Sequence, residues 1–392
     1  MRTVILLLII GGGVWWGYTR WFAGDLAASS STTATTGASA ESPEPVTPEP
    51  VAPEPVDNDV TEQATPQQFE IQSLRSQLDT DPDDGTRIRL AQALLASGVA
   101  DDRGQALGLL GSLEKSNSEL AQTARAILMR ESDGQQQSHF AHKILSAGPD
   151  SPGYGESCYL VADELGYGDD TSAVKSWKLL SDAYNSSDEI SWRQPIRMRL
   201  RDLVEQWVLS PRPFTLCSSA TVVSGDSLHR IAKQNKVSVD SLRLLNNIRG
   251  DVIHPGQKFK LLTGEVHAVV DKSDYWIDVF IDGMWLLGYP IGHGKDNCTP
   301  IGDFVVDILQ KQPMWQPRDG RPPVPYGEEG NPLGERWIGF KDGSRTGLGI
   351  HGTSDPESIG FQGSEGCIRL KNEDVVNVYP WMRSGTKIHV RD

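Results

Sequence analysis

One histidine and one cysteine near the C-terminus have the side chains needed for nucleophilic catalysis. His351 is followed by Gly352, and Cys367 lies in the segment SEGCIR at 364–369. A thiol becomes a good nucleophile when a nearby base or positive charge favours the thiolate. Glycines between the two residues permit tight turns that bring the imidazole back to the sulfur. Backbone amides around Gly366 and Cys367 would then face a carbonyl oxygen under attack, as an oxyanion hole requires.

These motifs resemble the L,D-transpeptidase (YkuD-type) catalytic domain. Three further segments match that family in the same order: TPIGDF at 299–304, NPLGERW at 331–337 and LGIHGT at 348–353. The resemblance covers residues 264–392. Apolar and polar residues alternate along much of this region, which independently predicts strands. We therefore expect an all-β, mostly antiparallel sandwich or barrel, in agreement with the fold that the resemblance implies.

The resemblance implies a role for each residue of the motif. Cys367 would be the nucleophile and His351 the base. The backbone carbonyl of Gly352 would orient the imidazole, so the side chain at that position is not expected to matter. The oxyanion donors would be the backbone amides of Glu365, Gly366 and Cys367.

Three other residues of the cysteine segment are expected to support the chemistry or to stay clear of it. Ser364 and Arg369 would support the loop, and Arg369 could also stabilise the thiolate. Glu365 stands where the family often has histidine or arginine. A carboxylate pointing at the sulfur would raise the pKa of the thiol, so Glu365 is expected to face substrate or solvent.

The resemblance implies a peptidoglycan substrate. The donor would be a stem tetrapeptide, cleaved between the L-centre of the diamino acid at position three and the terminal D-Ala. The acceptor would be the side-chain amine of another stem. Joining the two gives a 3→3 cross-link. No ATP is available outside the cytoplasm, and exchange of one peptide bond for another avoids that need. The alternatives are an L,D-carboxypeptidase that passes the acyl group to water, and a wall-binding scaffold without activity. No cofactor is expected, and no cysteine or histidine spacing suggests a metal site.

Residues 311–335 are rich in proline and glycine and form a long irregular segment. Long loops inside compact domains are usually functional. We expect a lid over the active site, with Trp315, Tyr326 and Asn331 as substrate contacts.

Residues 219–263 predict a strand, two helices and a closing strand. This segment resembles a LysM domain over its whole length, a family that binds N-acetylglucosamine-containing glycans. The resemblance therefore implies peptidoglycan binding, with Gly225, Asp226 and Ser227 in the glycan groove. Lysine and arginine outnumber acidic residues here, which suits an anionic polymer.

Residues 67–212 carry apolar residues at helical spacing and predict an all-α region. The pattern is vaguely similar to tetratricopeptide hairpins, but the diagnostic residues of those repeats are missing. A helical spacer domain is the expectation, and a partner-binding scaffold is the alternative.

Residues 1–24 carry an apolar stretch from Thr3 to Phe22, close to the roughly 20 residues that span a bilayer. This predicts an uncleaved membrane anchor, with a cleaved signal peptide as the alternative. Residues 25–66 are rich in Ser, Thr, Pro and Glu and predict an extended linker. The expected location is the cell envelope, periplasmic or extracytoplasmic. A net charge of −15 makes nucleic acid an improbable partner.

The other three of the four cysteines are Cys158, Cys217 and Cys298. With Cys367 reserved for chemistry, at most one disulfide could form among them. Cys298 is expected to be a loop thiol near the substrate groove.

Overall fold

The computed structural model describes residues 64–186, 190–317, 319–342 and 345–392, together with the backbone of two short strands near the N-terminus. These strands pair antiparallel and are β1 (Leu7–Ile9) and β2 (Val14–Trp16). The rest of the predicted anchor at 3–22, and the predicted linker up to residue 63, lie outside the described residues. Within the described ranges, no helix combines the length and apolarity needed to cross a membrane.

The chain divides into two compact units, residues 1–112 and 113–392. The first contains the helices α1 (Pro66–Thr80) and α2 (Asp84–Ala96), and α3 (Ala100–Glu114) begins in it. Thr65 caps α1 by accepting a hydrogen bond from the Gln68 amide, while the Gln68 side chain accepts from the Thr65 amide. This reciprocal capping satisfies two backbone donors that a helix start leaves open.

The second unit begins with five helices, in agreement with the predicted all-α region. They are α4 (Ala121–Glu131), α5 (Gly134–Ala147), α6 (Tyr154–Leu165), α7 (Asp170–Asn185) and α8 (Ile190–Leu203), which continues as a π-helical turn, Val204–Val208.

The predicted LysM module has the expected βααβ order. Its elements are β3 (Ser218–Thr221), α9 (Leu228–Gln234), α10 (Val239–Asn246) and β4 (Lys258–Leu261). The two strands pair antiparallel, and the helices pack on them around Leu228, Ile231, Leu242 and Phe259.

Hydrogen bonds from Lys260 and Ser238 are among the contacts that hold this module against the rest of the second unit. The buried amine of Lys260 donates to the carbonyls of Trp207, Ser210 and Arg212, at 2.7, 2.9 and 3.0 Å. These carbonyls follow the end of α8, where a cation is favourable and backbone acceptors are open. The hydroxyl of Ser238, at the start of α10, donates to the Pro380 carbonyl at 2.5 Å.

The predicted catalytic domain is built on one mixed sheet of eight strands. The strands of this region are β5 (Val266–Asp271), β6 (Trp276–Ile281), β7 (Met284–Pro290), β8 (His293–Gly294), β9 (Gly302–Lys311), β10 (Arg336–Asp342), β11 (Arg345–His351), β12 (Gln362–Ser364), β13 (Ile368–Arg369) and β14 (Lys387–Arg391), with the helix α11 (Asn372–Val378) before the last strand. The strand order in the eight-stranded sheet is β13-β11-β10-β9-β14-β5-β6-β7, with β11/β13 and β14/β5 parallel and the other pairs antiparallel. A second, two-stranded parallel sheet joins β8 to β12.

The mostly antiparallel sheet agrees with the predicted all-β catalytic domain, and helices pack on it. α7 and α8 pack on β7, and their apolar residues join those of the sheet in one core. The indole of Trp177 on α7 donates to the Trp285 carbonyl on β7 at 2.6 Å. The later helices therefore share one hydrophobic core with the sheet.

A buried polar cluster fixes the helices on the sheet. The carboxylate of Asp278 on β6 accepts from the Tyr184 hydroxyl at 2.6 Å and from the Trp285 indole at 2.7 Å. Arg197 on α8 donates to the Tyr184 oxygen at 2.7 Å and lies 3.7 Å from the same carboxylate. Burial raises the pKa of Asp278, and these donors oppose that effect. Removing one partner would leave a buried charge unsatisfied.

Candidate active site

His351 lies at the end of β11, on the face of the sheet opposite the core. It pairs with Trp337 on β10 and with Arg369 on β13. The preceding residue, Ile350, is fully buried in the core and pairs with Ile368. Because side chains alternate along a strand, His351 points away from that core. It is nevertheless only 5 % exposed, since other residues cover it.

The backbone that follows His351 fixes which ring nitrogen carries the proton. Nδ1 lies 2.5 Å from the Gly352 carbonyl oxygen. A carbonyl can only accept, so Nδ1 must donate and Nε2 is left with a lone pair. Burial lowers the pKa of His351 to about 4; the Gly352 carbonyl acts in the opposite direction and the Arg369 charge in the same one. The imidazole is therefore neutral near pH 7, as a general base must be.

An indole forms one wall of this histidine. The rings of Trp337 and His351 are stacked, with centroids 5.7 Å apart and planes at 29°. A Cβ added to Gly339 would lie 2.7 Å from the indole nitrogen, and one added to Gly349 would lie 2.5 Å from the far edge of the ring. Both glycines therefore leave room for the indole to lie flat on the sheet. Sequence reasoning missed Trp337 as a site residue, although it stands in a matched motif.

Asn372, at the start of α11, holds the turn after His351. Its side-chain oxygen accepts from the Glu335 amide at 3.0 Å, and its nitrogen donates to the Thr353 carbonyl at 3.0 Å. A Cβ on Gly352 would lie 2.1 Å from that side-chain oxygen. Glycine at position 352 therefore has a packing role that the sequence did not predict, because a larger side chain would displace that of Asn372. The asparagine gave no signal in the sequence.

The cysteine loop is a tight turn closed by Ser364. The buried hydroxyl of Ser364 donates to the Cys367 carbonyl at 2.5 Å and accepts from the Gly366 amide at 3.1 Å. Gly366 has φ +116°, a conformation that favours glycine. Its amide is engaged with Ser364, so it could reach a substrate oxyanion only by giving up that bond.

Thr299 anchors the same loop from the side. Its buried hydroxyl donates to the Gly366 carbonyl at 3.0 Å and accepts from the Gly294 amide at 2.8 Å. Thr299 begins one of the matched motifs, and the structure gives that threonine a physical role that the sequence did not predict.

The strand register brings Cys367 to the histidine face. The pairing of β11 with β13 aligns Ile350 with Ile368, and continuing it by one residue places Cys367 opposite Gly349. Cys367 lies two residues before Arg369 and is partly exposed, with its sulfur 3.8 Å from the Gly347 carbonyl oxygen. His351, Cys367 and Arg369 therefore occupy adjoining positions at one edge of the sheet.

The two charged residues of the motif lie in different surroundings. Arg369 is half-buried, its guanidinium approaches Gly363, and its charge contributes to the low pKa of His351. The side chain of Glu365 is exposed.

The segment 311–335 folds back on itself. The Gln312 amide donates to the Glu335 carbonyl at 2.9 Å, and Trp315 and Val324 exchange two backbone hydrogen bonds. Asn331 uses its side chain internally: it donates to the carbonyls of Pro313 and Val324, both at 3.0 Å, and accepts from the Leu333 amide. Asn331 therefore maintains the shape of the loop.

Two other predicted substrate contacts lie in this segment. The hydroxyl of Tyr326 donates to Glu335 at 2.5 Å, which raises the pKa of Tyr326. Because the Glu335 amide also binds Asn372, Tyr326 is connected to the turn after His351. Trp315 is partly exposed, with the Arg321 guanidinium 5.7 Å from its ring centre.

The predicted glycan residues form the turn between β3 and α9. Gly225 has φ +85°. The Asp226 carboxylate accepts from the Val223 amide at 2.9 Å, and the Ser227 hydroxyl caps α9 by accepting from the Arg230 amide at 3.2 Å. These side chains shape the turn, and their contact with a glycan stays a prediction.

Comparison with known proteins agrees with both resemblances. Residues 265–390 match the family profile of the L,D-transpeptidase catalytic domain, and residues 220–261 match that of the LysM domain. YqjB of Bacillus subtilis, provisionally named an L,D-transpeptidase, is 34% identical over 134 residues, which cover 33% of this chain and 74% of YqjB. The similarly named YkuD of Bacillus licheniformis is 30% identical over 180 residues, covering 43% of this chain and 96% of YkuD. The chain belongs to the L,D-transpeptidase family.

Solved structures align with part of this chain. An L,D-transpeptidase from Mycobacterium smegmatis is 25% identical with a TM-score of 0.28, covering 35% of this chain and 64% of the other. The catalytic domain of the Enterococcus faecium L,D-transpeptidase is 25% identical with a TM-score of 0.27, covering 33% of this chain and 98% of the other.

All four cysteines of the chain are free thiols. Cys158 is buried, and burial raises its pKa to about 12; the same effect raises that of Cys217 to about 11. Cys298 is exposed, with its sulfur 4.0 Å from the Ser364 carbonyl oxygen. Among the described residues, no cluster of three or more His, Cys, Asp or Glu side chains could hold a metal ion.

Proposed function

We propose that this L,D-transpeptidase forms 3→3 cross-links in peptidoglycan through a thioester on Cys367. The observation that carries the proposal is the hydrogen bond from His351 Nδ1 to the Gly352 carbonyl. It leaves Nε2 as a proton acceptor on the face of the sheet that the register of β11 and β13 gives to Cys367. A neutral imidazole beside a thiol is the arrangement that activates a cysteine nucleophile.

The first half-reaction makes the acyl-enzyme. His351 Nε2 takes the proton of the Cys367 thiol, and the sulfur attacks the carbonyl of the diamino acid at position three of the donor stem. The C–S bond forms, the C–N bond to the terminal D-Ala breaks, and the proton passes from Nε2 to the departing amine. The backbone amides of Glu365 and Cys367 are the proposed oxyanion donors. The Gly366 amide joins them only by releasing Ser364.

The second half-reaction transfers the acyl group. The side-chain amine of a second stem attacks the thioester and loses a proton to Nε2. The C–S bond breaks, the new amide forms, and the proton returns to the sulfur. If water replaces that amine, the product is a tripeptide, which is the outcome expected of a carboxypeptidase.

The other modules are proposed to bring this chemistry to the wall. The LysM module would hold glycan strands through the turn at Gly225, Asp226 and Ser227. Trp315 and Tyr326 are proposed to contact the stem from the loop at 311–335. The envelope location and the membrane anchor at 3–22 also remain proposals, and the anchor rests on sequence alone.

Mass analysis of muropeptides tests the proposal. The purified protein should convert disaccharide-tetrapeptides into cross-linked dimers with release of D-Ala, and Cys367→Ala should abolish this. If the only products are tripeptides, the protein trims stems as a carboxypeptidase does. If the substrate stays unchanged with the parent protein and with its active-site variants alike, the protein is a scaffold.

A carbapenem gives a second readout with a matched control. Intact-mass spectrometry should detect one carbapenem adduct on the parent protein and on Cys298→Ala. It should detect none on Cys367→Ala. The control is matched because Cys298 is an exposed thiol beside the same loop. An adduct that survives Cys367→Ala would refute the assignment of the nucleophile.

A further inference from the structure

A cavity of about 530 Å³ lies where the LysM module meets the catalytic domain. One wall is α10 with the residues after it, and the other is formed by the ends of β9 and β10 together with α11 and the turn at Tyr379. Its volume is within the range of about 300–1,000 Å³ that is usual for ligand sites. It is separate from the His351 edge, because Arg336 and Trp337 are neighbours on β10 and point to opposite faces.

The walls of the cavity are rich in cations although the chain as a whole carries a net charge of −15. Arg243 and Arg249 line it from the LysM side, and Lys311 and Arg336 line it from the sheet. One carboxylate, that of Asp240, lies among them and pairs with Lys311 at 2.5 Å. The carboxylates of Asp251 and Glu335 pair with Arg243 and Arg336 from outside the lining, so one of the four cations is left in excess, and a carboxylate or phosphate would be attracted to it.

Arg249 is the cation best placed to bind a ligand. Arg243 pairs with Asp251, and Arg336 pairs with Glu335 at 3.0 Å. Arg249 is exposed at the cavity and has no hydrogen-bond or ion-pair partner among the described residues. A guanidinium presents two parallel donors that match a carboxylate, and such bidentate pairs are among the strongest hydrogen bonds in proteins.

The remaining lining is apolar and aromatic. Tyr379 lies between two of the cations, with the Lys311 amine 5.9 Å and the Arg336 guanidinium 5.6 Å from its ring centre. Leu244, Ile248 and Val376 add aliphatic surface beside it. Small apolar side chains next to a terminal carboxylate would fit this combination, whereas a bare ion would leave the apolar surface unused.

We propose that this cavity binds a peptidoglycan stem peptide by its terminal carboxylate, with the carboxylate on Arg249 and the D-Ala methyl group against the apolar wall. This inference rests on the proposed function, because it takes the stem peptide as the substrate. Since the two walls come from different modules, a stem in the cavity would tie the LysM module to the catalytic domain. The site is additional to the reaction cleft.

The cavity shares two elements with the supports of His351. The helix that begins at Asn372, which holds the turn after His351, also supplies Val376 to the cavity. Arg336 lines the cavity, and its backbone carbonyl accepts from the Gly352 amide at 3.3 Å. A ligand that orders these elements would therefore also order the turn that orients the imidazole.

Calorimetric titration of the full-length Cys367→Ala protein tests the proposal. The probes are a free stem tetrapeptide and the same peptide with its C-terminal carboxylate converted to an amide. Arg249→Gln should weaken binding of the acid about tenfold, the usual order for losing one charge-assisted pair. It should leave binding of the amide unchanged, because the amide lacks the group that Arg249 recognises. Arg249→Lys should restore part of the affinity.

The matched control is Arg230→Gln, which removes an exposed cation from α9 of the same module and away from the cavity. It should not alter binding of either peptide. Equal affinity of the acid for Arg249→Gln and its parent would overturn the proposal. So would an equal loss for acid and amide, or displacement of the peptide by inorganic phosphate at the concentration of the peptide itself.

The two proposals can fail separately. An absence of acyl-enzyme in the parent protein would reject the proposed reaction, whereas the titration uses a variant that cannot react. Binding that depends on Arg249 and on the carboxylate would then still stand as a peptide site of an inactive protein.

Discussion

A methyl group at position 352 should disrupt the turn that orients the His351 imidazole. In Gly352→Ala the new Cβ would overlap the Asn372 side-chain oxygen, at 2.1 Å, and that side chain must move. Its hydrogen bonds to the Glu335 amide and the Thr353 carbonyl, both 3.0 Å, would break. Each is worth about 1 kcal/mol, and stranded partners cost more, so unfolding free energy should fall by about 2–4 kcal/mol.

Two assays measure the consequence. Urea unfolding should give the loss of stability, and the rate of Cys367 acylation by a carbapenem should fall roughly tenfold or more. Acylation suffers because the Gly352 carbonyl is the group that holds His351, and small misplacements of a catalytic group slow reactions steeply.

A double-mutant cycle gives the control. Asn372→Ala removes the clashing atom, so Gly352→Ala should cost much less in that background, and the double variant should lie within about 1 kcal/mol of Asn372→Ala alone. Gly111→Ala, at a helical glycine with open space around it, should be neutral or stabilising. Strictly additive effects of the two substitutions would refute the steric argument.

Three further predictions concern the imidazole and the attachment of the LysM module. The folded pKa of His351 is about 4, and its unfolded value is about 6.5. The rate of acylation should therefore fall only below about pH 5, and the free energy of unfolding should decline as the pH falls from 6.5 to 4. An acid limb of the acylation rate centred at pH 6.5 would contradict this. Trp337→Leu should lower the maximal rate of acylation without changing the carbapenem concentration that gives half of that rate. It should also move the acid limb of the rate to higher pH, because the imidazole gains water. An acid limb at the same pH would show that the indole acts only in packing. Lys260→Met should lower the free energy of urea unfolding by about 3 kcal/mol, because three carbonyls lose a charged donor. Lys258 is an exposed neighbour, and Lys258→Met should leave that free energy nearly unchanged. Equal effects of the two substitutions would refute the reasoning.

The sequence was sufficient to predict the helices, strands and turns that are determined by residues close together in the chain. The LysM module has the strand, two helices and closing strand that its sequence indicated, and Ser227 and Ser238 cap its two helices. The positions of Cys367 and His351 came from motifs in which glycine and serine shape turns, and such turns are specified by neighbouring residues.

What the sequence did not reveal depends on residues far apart in the chain. Asp278 lies in an alternating strand pattern in which a polar residue would be expected to face solvent, yet α7 and α8 cover it and Tyr184 satisfies it across 94 positions. Asn372 holds Gly352 in the same way, from a separate helix. Neither contact produces a periodic pattern of apolar and polar residues in the sequence, because its two partners meet only after the sheet has formed.

Contacts such as those of Lys260 and Ser238 hold the LysM module in one place relative to the catalytic domain. On a flexible linker, the module would let a bound glycan take many positions relative to Cys367. Because it is held, a glycan bound as proposed would lie at a fixed distance from the Cys367 sulfur, and a stem would react only where its position along the strand matches that distance. Spacing of cross-links along a glycan would then be a property of how this protein is folded.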